Sequence, residues 1–439
     1  MLSKEKNDQL CKTGPNTPMG KLFRCYWIPA LLAEELPEAD CPPVRVQLLS
    51  EYMVAFRDTE GRLGLIDEFC AHRCVSLWFG RNEDSGLRCP YHGWKFDVNG
   101  KCIDVPSESP EFCTNIKLKS YPLVEKGGIL WTYMGDPENQ PPLPEYEVCN
   151  MPADQRFISK RHQESNWLQA LEGGIDSSHV SFLHGHNLES DPLFKGAKGN
   201  KYNMADLKPK FEVEDYEGGL MIAARRNAED EQHYWRITPW LMPFFTMVPP
   251  RGDYPVHGHF WVPIDDKNCW AWSFDYKPNR PLTDQEREAM EQGAGIHCAY
   301  IPGTYTPKAN RANDYLMDRE AQKQGLTYSG IEGIAIQDSS LQESMASIDP
   351  ETGERVAWGG ICDRTYEMLA PTDKGIMMAR RKIFNAIEAL ENYGELPEGV
   401  DPEHHKVRSV SVLLPKDQKF LDGAKEAVRV KQDEPHTSV

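Results

Sequence analysis

No uninterrupted apolar run in this chain approaches 18 residues, the length a helix needs to cross a bilayer. The first residues, "MLSKEKNDQL", lack the apolar stretch of a secretory signal. No membrane span is expected, and a cytoplasmic protein is. Neither G-x-G-x-x-G nor G-x-x-x-x-G-K-[ST] occurs; "GAGIHC" at 293–298 has the first two glycines and lacks the third. Such loops cradle phosphate with backbone N–H groups, so neither a dinucleotide nor ATP is an expected ligand. Positive charge is scarce: 49 Lys and Arg stand against 67 Asp and Glu, a net charge of −18. Nucleic-acid surfaces need clustered cations, so that class is set aside. The acidic balance suits a solvated surface or a docking face for a basic protein. There is no fixed-period repeat and no low-complexity run.

What is present is enough chain for two or three domains: 439 residues, 40% of them apolar. Twelve cysteines in a chain without a secretory signal read as thiols or metal ligands rather than a disulfide framework. From about 43 to 135, short apolar runs ("VRVQLL", "YMVAF", "LGLID", "GGILWTYMG") are separated by Gly, Asp and Pro, which predicts a small all-β domain. The Pro-rich "DPENQPPLPEYE" at 136–147 reads as its closing linker. Beyond it, strands ("LMIAARR", "HYWRIT", "HGHFWVPI", "CWAWSF") mix with helices. Thr283 and Glu286 form a capping-box start. Ile376, Ile383, Ile387 and Leu390 mark one stripe of a helix that Gly394 stops. The expected class is α+β, with residues 1–42 a lead-in packing on the catalytic domain, 43–147 an all-β domain, and 148–439 an antiparallel sheet with flanking helices.

Within the first domain, "CAHRCVSLWFGRNEDSGLRCPYHGW" (70–94) holds Cys70-x-His72 and Cys89-x-x-His92, with 16 residues between His72 and Cys89. Zinc in a Cys₂His₂ site is one reading, but zinc fingers pair Cys with Cys and His with His. One Cys and one His on each loop suit a two-iron cluster in which the cysteines hold one iron and the histidines the other, the Rieske [2Fe–2S] arrangement. Trp94 and Phe96 are expected to shield it. Respiratory Rieske subunits carry an extra cysteine in each box, joined as a disulfide; here Tyr91 stands where the second would be, so Cys74 has no partner and no assigned role.

"EGGIDSSHVSFLH" contains Asp176, His179 and His184 in a D-x-x-H-x-x-x-x-H spacing. On an ideal helix, residues five apart point about 140° away from each other. Two unrelated histidines are one reading. If both bind one ion, the helix must end or distort between them, and Gly185 is consistent with an ending. A one-electron cluster needs an acceptor, and two histidines with a carboxylate form the facial triad of non-haem Fe(II) oxygenases.

With these motifs the chain resembles the Rieske non-haem iron aromatic-ring-hydroxylating oxygenases, large (α) subunit, over nearly its whole length. "NWLQALEGGIDSSHVSFLH" and the Rieske box liken it in particular to the phthalate 4,5-dioxygenase oxygenase component, from which Cys74 departs, that subgroup often having Gly or Arg there. The resemblance implies a third iron ligand five residues before a Glu on a helix; of Glu332, Asp338 and Glu343, Asp338 matches. It implies a head-to-tail homotrimer or stacked hexamer, in which Asp176 bridges His179 of its own subunit and His92 of the next. It implies electrons from NAD(P)H through a separate flavin/iron–sulfur reductase, and O₂-dependent cis-dihydroxylation of an aromatic carboxylate. A monooxygenase or O-demethylase shares these motifs; a Rieske electron carrier would lack the second one. A phthalate-like substrate needs cationic anchors. Arg225, Arg226 and above all Arg236, which interrupts an aromatic-rich strand, are candidates, with Ser177 beside the iron motif as a hydrogen-bond donor.

Overall fold

The computed structural model describes residues 1–431 and 434–439. The chain forms two compact units, Thr13–Pro141 and Met1–Lys12 with Pro142–Val439. Their border falls inside the Pro-rich segment. The first 42 residues divide differently from the lead-in read from sequence. Only the opening helix Lys4–Cys11 groups with the C-terminal unit, where Asn7, Leu10 and Cys11 are buried. Residues 13–42 belong to the N-terminal unit because Trp27–Leu32, buried along its whole length, pairs with Ile129–Tyr133. A buried strand must satisfy its backbone groups in a ladder, and the apolar run "WIPALL" found its partner there.

The N-terminal unit is mainly β, with one short helix at Pro18–Phe23 and a few 3₁₀ turns: three small antiparallel sheets, built around Trp27–Leu32 with Leu123–Tyr133, around Val44–Asp67, and around Arg81–Asp104. Two of its hairpins close on two-residue turns, Leu49–Ser50 and Asp84–Ser85, all four residues at positive φ. This conformation matches the twist of the flanking strands. Val54, Phe56, Ile66, Leu77, Leu87 and Phe96 form the core, and Cys70 and Cys89 are buried in it.

The C-terminal unit is an eight-stranded antiparallel sheet. Its path runs Arg156–Gln163, Cys269–Tyr276, Val256–Pro263, Phe245–Val248, Gln232–Leu241, Gly219–Asn227, Lys210–Tyr216, and Val410–Pro415 adds to Gln232–Leu241. Both helix signals appear as expected. Thr283 Oγ1 accepts from Glu286 N while the Glu286 carboxylate accepts from Thr283 N. Helix Lys374–Tyr393 buries Ala379, Ile383 and Ile387, keeps Ile376 and Leu390 half-buried, and ends at left-handed Gly394. Helices Trp167–Ile175 and Ile334–Glu343 pack against each other on the sheet. Gly173 leaves room for the Gln342 side chain at their contact: a Cβ there would lie 2.2 Å from Gln342 Nε2, and the amide would have to move. Among the described residues, no helix is long and apolar enough to cross a membrane.

Candidate metal centres

The two Cys–His loops of the N-terminal unit share one backbone design. Cys70 N–H donates to Val75 O and Cys74 N–H donates back to Cys70 O, both at 2.9 Å. Cys89 N–H donates to Trp94 O at 2.8 Å and Gly93 N–H to Cys89 O at 3.0 Å. Each loop therefore turns tightly behind its cysteine. The first is tethered by Ser76, whose hydroxyl donates to Glu68, and the second by Arg88, whose Nη1 donates to Gly93 O at 2.7 Å. The thiols of Cys70 and Cys89 are buried side by side, and the imidazoles of His72 and His92 are exposed with ring centroids 4.5 Å apart. Burial, with the neighbouring Cys89 thiol adding to it, pushes the Cys70 thiol up to about 11. Two thiols on the inner side and two imidazoles on the outer side fit the donor set of a Rieske cluster. Trp94 stacks on His72 at 4.7 Å and 7°, and Phe96 is fully buried beneath.

In the C-terminal unit, His179, His184 and Asp338 bring one ligand atom each to within 4.8 Å of one another. His179 Nε2 lies 3.1 Å from His184 Nε2, and Asp338 Oδ1 lies 3.2 Å from His184 Nε2 and 3.5 Å from His179 Nε2. The five-residue spacing works because the helix stops early. Trp167–Ile175 ends at Asp176, which is extended, and His179–Ser181 forms a separate short 3₁₀ turn. The break thus lies before His179, at Asp176, rather than at Gly185. Each imidazole is oriented from its far side: His179 Nδ1 faces Asp176 Oδ2 at 3.3 Å and His184 Nδ1 faces Gln337 Oε1 at 2.8 Å. An Nδ1–H donated to an oxygen leaves the Nε2 lone pair free for a metal. The donor set is that of a facial triad.

Electrostatics keep the carboxylates charged. Burial alone would raise Asp338, but His184 and His179, then Arg161, override it and hold the group at about 2. Burial would likewise raise Asp176; His179 and the Ser178 and His179 amides hold it below the ordinary carboxylate value. Of the other acidic candidates, Glu332 is exposed, and Glu343 accepts hydrogen bonds from Tyr315 Oη and Glu164 N, away from the triad.

The triad opens on a cavity of about 60 Å³, lined also by Asp176, Ser177, Arg236, Arg251, His257 and His259. Arg236 is 1% exposed, and its Nε and Nη1 have no hydrogen-bond partner among the described residues. Arg251, 3% exposed, donates from Nη1 to Asn200 Oδ1. Burial, with Arg236 adding to it, lowers the Arg251 guanidinium to about 9, so a second cation is held here against its own desolvation. Arg226 is committed elsewhere: it donates to Ser177 O, Ser177 Oγ and Ser181 Oγ and so braces the turn that carries His179. Arg225 does not reach the cavity. Side chains alternate across a strand, so with Arg226 inward, Arg225 points away and lies over the Trp235 ring at 5.6 Å. Arg251, His257 and His259 had no metal-type spacing to announce them. The only signal was "HGH", two residues apart and therefore on one face of a predicted strand.

A fold with a cluster-type loop pair in a mainly β unit, and a His-His-Asp triad behind a helix break in a second unit, is that of a two-centre iron oxygenase. Residues 26–122 match the Rieske [2Fe-2S] domain model and residues 132–437 the LigXa C-terminal domain like model. The chain is 39% identical to the 3-chlorobenzoate-3,4-dioxygenase oxygenase subunit of Comamonas testosteroni, over 93% of this chain and 95% of that one. It is 36% identical to the phthalate 4,5-dioxygenase oxygenase subunit of Pseudomonas putida (89% and 87%). It is 32% identical to the 5,5'-dehydrodivanillate O-demethylase oxygenase subunit of a Sphingobium strain (92% and 85%). In fold it is similar to dicamba monooxygenase bound to dicamba, with a TM-score of 0.56 at 17% identity, covering 84% of this chain and 98% of that one. The chain belongs to the Rieske oxygenases, and within them to the group with a LigXa-like C-terminal domain. It is an oxidoreductase with a [2Fe–2S] cluster and a mononuclear iron, fed with electrons by a separate reductase.

Proposed function

We propose that this chain is the terminal oxygenase component that hydroxylates an aromatic carboxylate by cis-dihydroxylation. Arg236 carries this reading: a fully buried guanidinium with two unpartnered nitrogens, in the same cavity as the triad. A buried cation with unmet donors is costly, and a carboxylate accepts from an arginine fork bidentately. Arg251 and Ser177 flank the same space. In this reading Cys70 and Cys89 hold one iron of the cluster and His72 and His92 the other, while His179, His184 and Asp338 hold the mononuclear iron, which supplies O₂ activation. Asp176 orients His179 and, in a homotrimer or stacked hexamer, accepts from His92 of the next subunit. The reductase is a flavin and iron–sulfur protein drawing on NAD(P)H.

The test is a substrate-depletion screen of aromatic acids with a reconstituted reductase under ¹⁸O₂. Two labelled oxygens in a diol product support the reading; a whole panel of aromatic acids left unconsumed overturns it. The second reading, O-demethylation or mono-oxygenation of an aromatic acid, is favoured by the similarity to the dehydrodivanillate O-demethylase subunit and gives one labelled oxygen at most. Iron analysis separates both from a pure electron carrier: three irons per chain against two.

A further inference from the structure

Against the helix that carries Asp338 lies a further buried arginine that belongs to no ion pair among the described residues. Arg161, on the strand Arg156–Gln163, is 2% exposed. Its donors end on neutral acceptors: Nε on Ser339 Oγ at 3.2 Å, Nη1 on Ser273 Oγ at 3.3 Å and Nη2 on Gln163 Oε1 at 3.4 Å. Among the described residues no carboxylate lies within 4 Å of it. Ser339 follows Asp338 directly on helix Ile334–Glu343, so the guanidinium is hydrogen-bonded to the residue beside the triad's only carboxylate. Ser273, its second acceptor, lies 3.2 Å from Nδ1 of His259, which lines the cavity.

A buried charge needs a compensating charge nearby. Asp338 is the carboxylate that geometry sets next to this charge: Arg161 Nε holds Ser339 Oγ, and Ser339 is the neighbour of Asp338 on the helix. The neutral first neighbours matter too. A carboxylate in contact with Arg161 would cancel its field, whereas two serines and an amide position the guanidinium without neutralising it.

We propose that Arg161 is a positioning residue that serves as the counter-cation of Asp338 and biases the metal ion at the triad toward its lower-charge, ferrous state. The inference rests on the assignment of His179, His184 and Asp338 as iron ligands. A fixed positive charge close to a metal disfavours a further positive charge on it, and the low dielectric of the interior strengthens the effect.

The test compares the full-length holoprotein with Arg161→Gln and Arg161→Lys. Iron per chain is counted, and the midpoint potential of the mononuclear iron is measured by redox titration of its ferric EPR signal. Arg161→Gln, which keeps hydrogen-bonding capacity and loses the charge, is expected to retain three irons per chain and to shift that midpoint to a more negative value. Arg161→Lys, which keeps the charge and loses the fork, is expected to hold the parent value. An unshifted midpoint in Arg161→Gln at full iron content overturns the proposal. So does an equal negative shift in both variants. Should Arg161→Gln not fold, Arg161→Lys decides alone: the parent midpoint upholds the charge argument and a negative shift defeats it. A parent protein with only two irons per chain instead overturns the ligand assignment beneath it.

Discussion

Cys74 and Gly93 occupy the same place in two loops of the same design. Each donates its N–H to the carbonyl of the cysteine four residues earlier, and each has a left-handed backbone, with φ of 54° and 78°. The thiol of Cys74 is exposed, and what the loop demands at this position is a backbone conformation. A residue with a Cβ pays about 1 kcal/mol or more for it, and glycine does not.

Cys74→Gly is therefore expected to leave the visible and EPR spectra of the cluster unchanged. Thermal unfolding of the N-terminal unit should be no lower than in the parent, because relief of about 1 kcal/mol of strain offsets the extra freedom of glycine in the unfolded chain. A bleached cluster in this variant would show that the thiol itself is required.

In the parent, Ser178 N–H donates to Asp176 Oδ1 and His179 Nδ1 faces Oδ2; Asp176→Asn keeps one of these oxygens as a neutral acceptor and turns the other into an amide NH₂. Both metal centres are expected to be retained. Product formed per electron consumed is expected to fall on the order of 10- to 100-fold, the scale seen when the carboxylate behind a metal-bound histidine is removed. Parent-level coupled turnover would remove Asp176 from the electron path.

Arg236→Met replaces a buried cation by an apolar side chain of similar length. Loss of a charge-assisted contact of about 1.5–3 kcal/mol raises KM for the carboxylate by roughly 10- to 100-fold. Iron content should be unchanged, since the triad does not touch Arg236, and kcat should fall less than KM rises. Steady-state kinetics with iron analysis check this; unchanged KM excludes Arg236 as the anchor.

Glu343 supplies a pH test that does not involve the metal ligands. Burial pushes its carboxyl up to about 7, against hydrogen bonds from Tyr315 and Glu164 N that favour the charged form. In the unfolded chain its value is about 4.3. Between these two values the folded state binds the extra proton, so stability falls as pH rises through this window and stays reduced above it. The reduction is on the order of 3 kcal/mol at pH 8. Glu343→Gln, which keeps the acceptor for Tyr315, is expected to melt above the parent at pH 8 and near it at pH 5, as followed by circular dichroism. Equal melting differences at both pH values would show that Glu343 is ionised when folded.

The parts of the site legible in the chain were those whose geometry is local. A Cys-x-His or Cys-x-x-His step fits one tight loop, so the donors of each loop are close whatever the rest does. The Thr283 capping box and the Gly394 stop are likewise decided within a turn of helix. His179 and His184 were half legible: their spacing showed that an unbroken helix could not bring them together, but not that the break falls at Asp176. Arg225 was misplaced because residue type says nothing of which face a strand presents inward, and its neighbour Arg226 took that face.

The sequence by itself determined the two donor sets, the α+β class and the Pro-rich border between the units, because ligand chemistry and short-range patterning are properties of contiguous residues. Tertiary structure alone decided which arginines matter. Arg236, Arg251 and Arg161 look like any other arginines in the chain, and their significance lies in burial without a carboxylate partner. That is a property of strands and helices brought together from distant segments, where low dielectric strengthens the field of an ordinary charge.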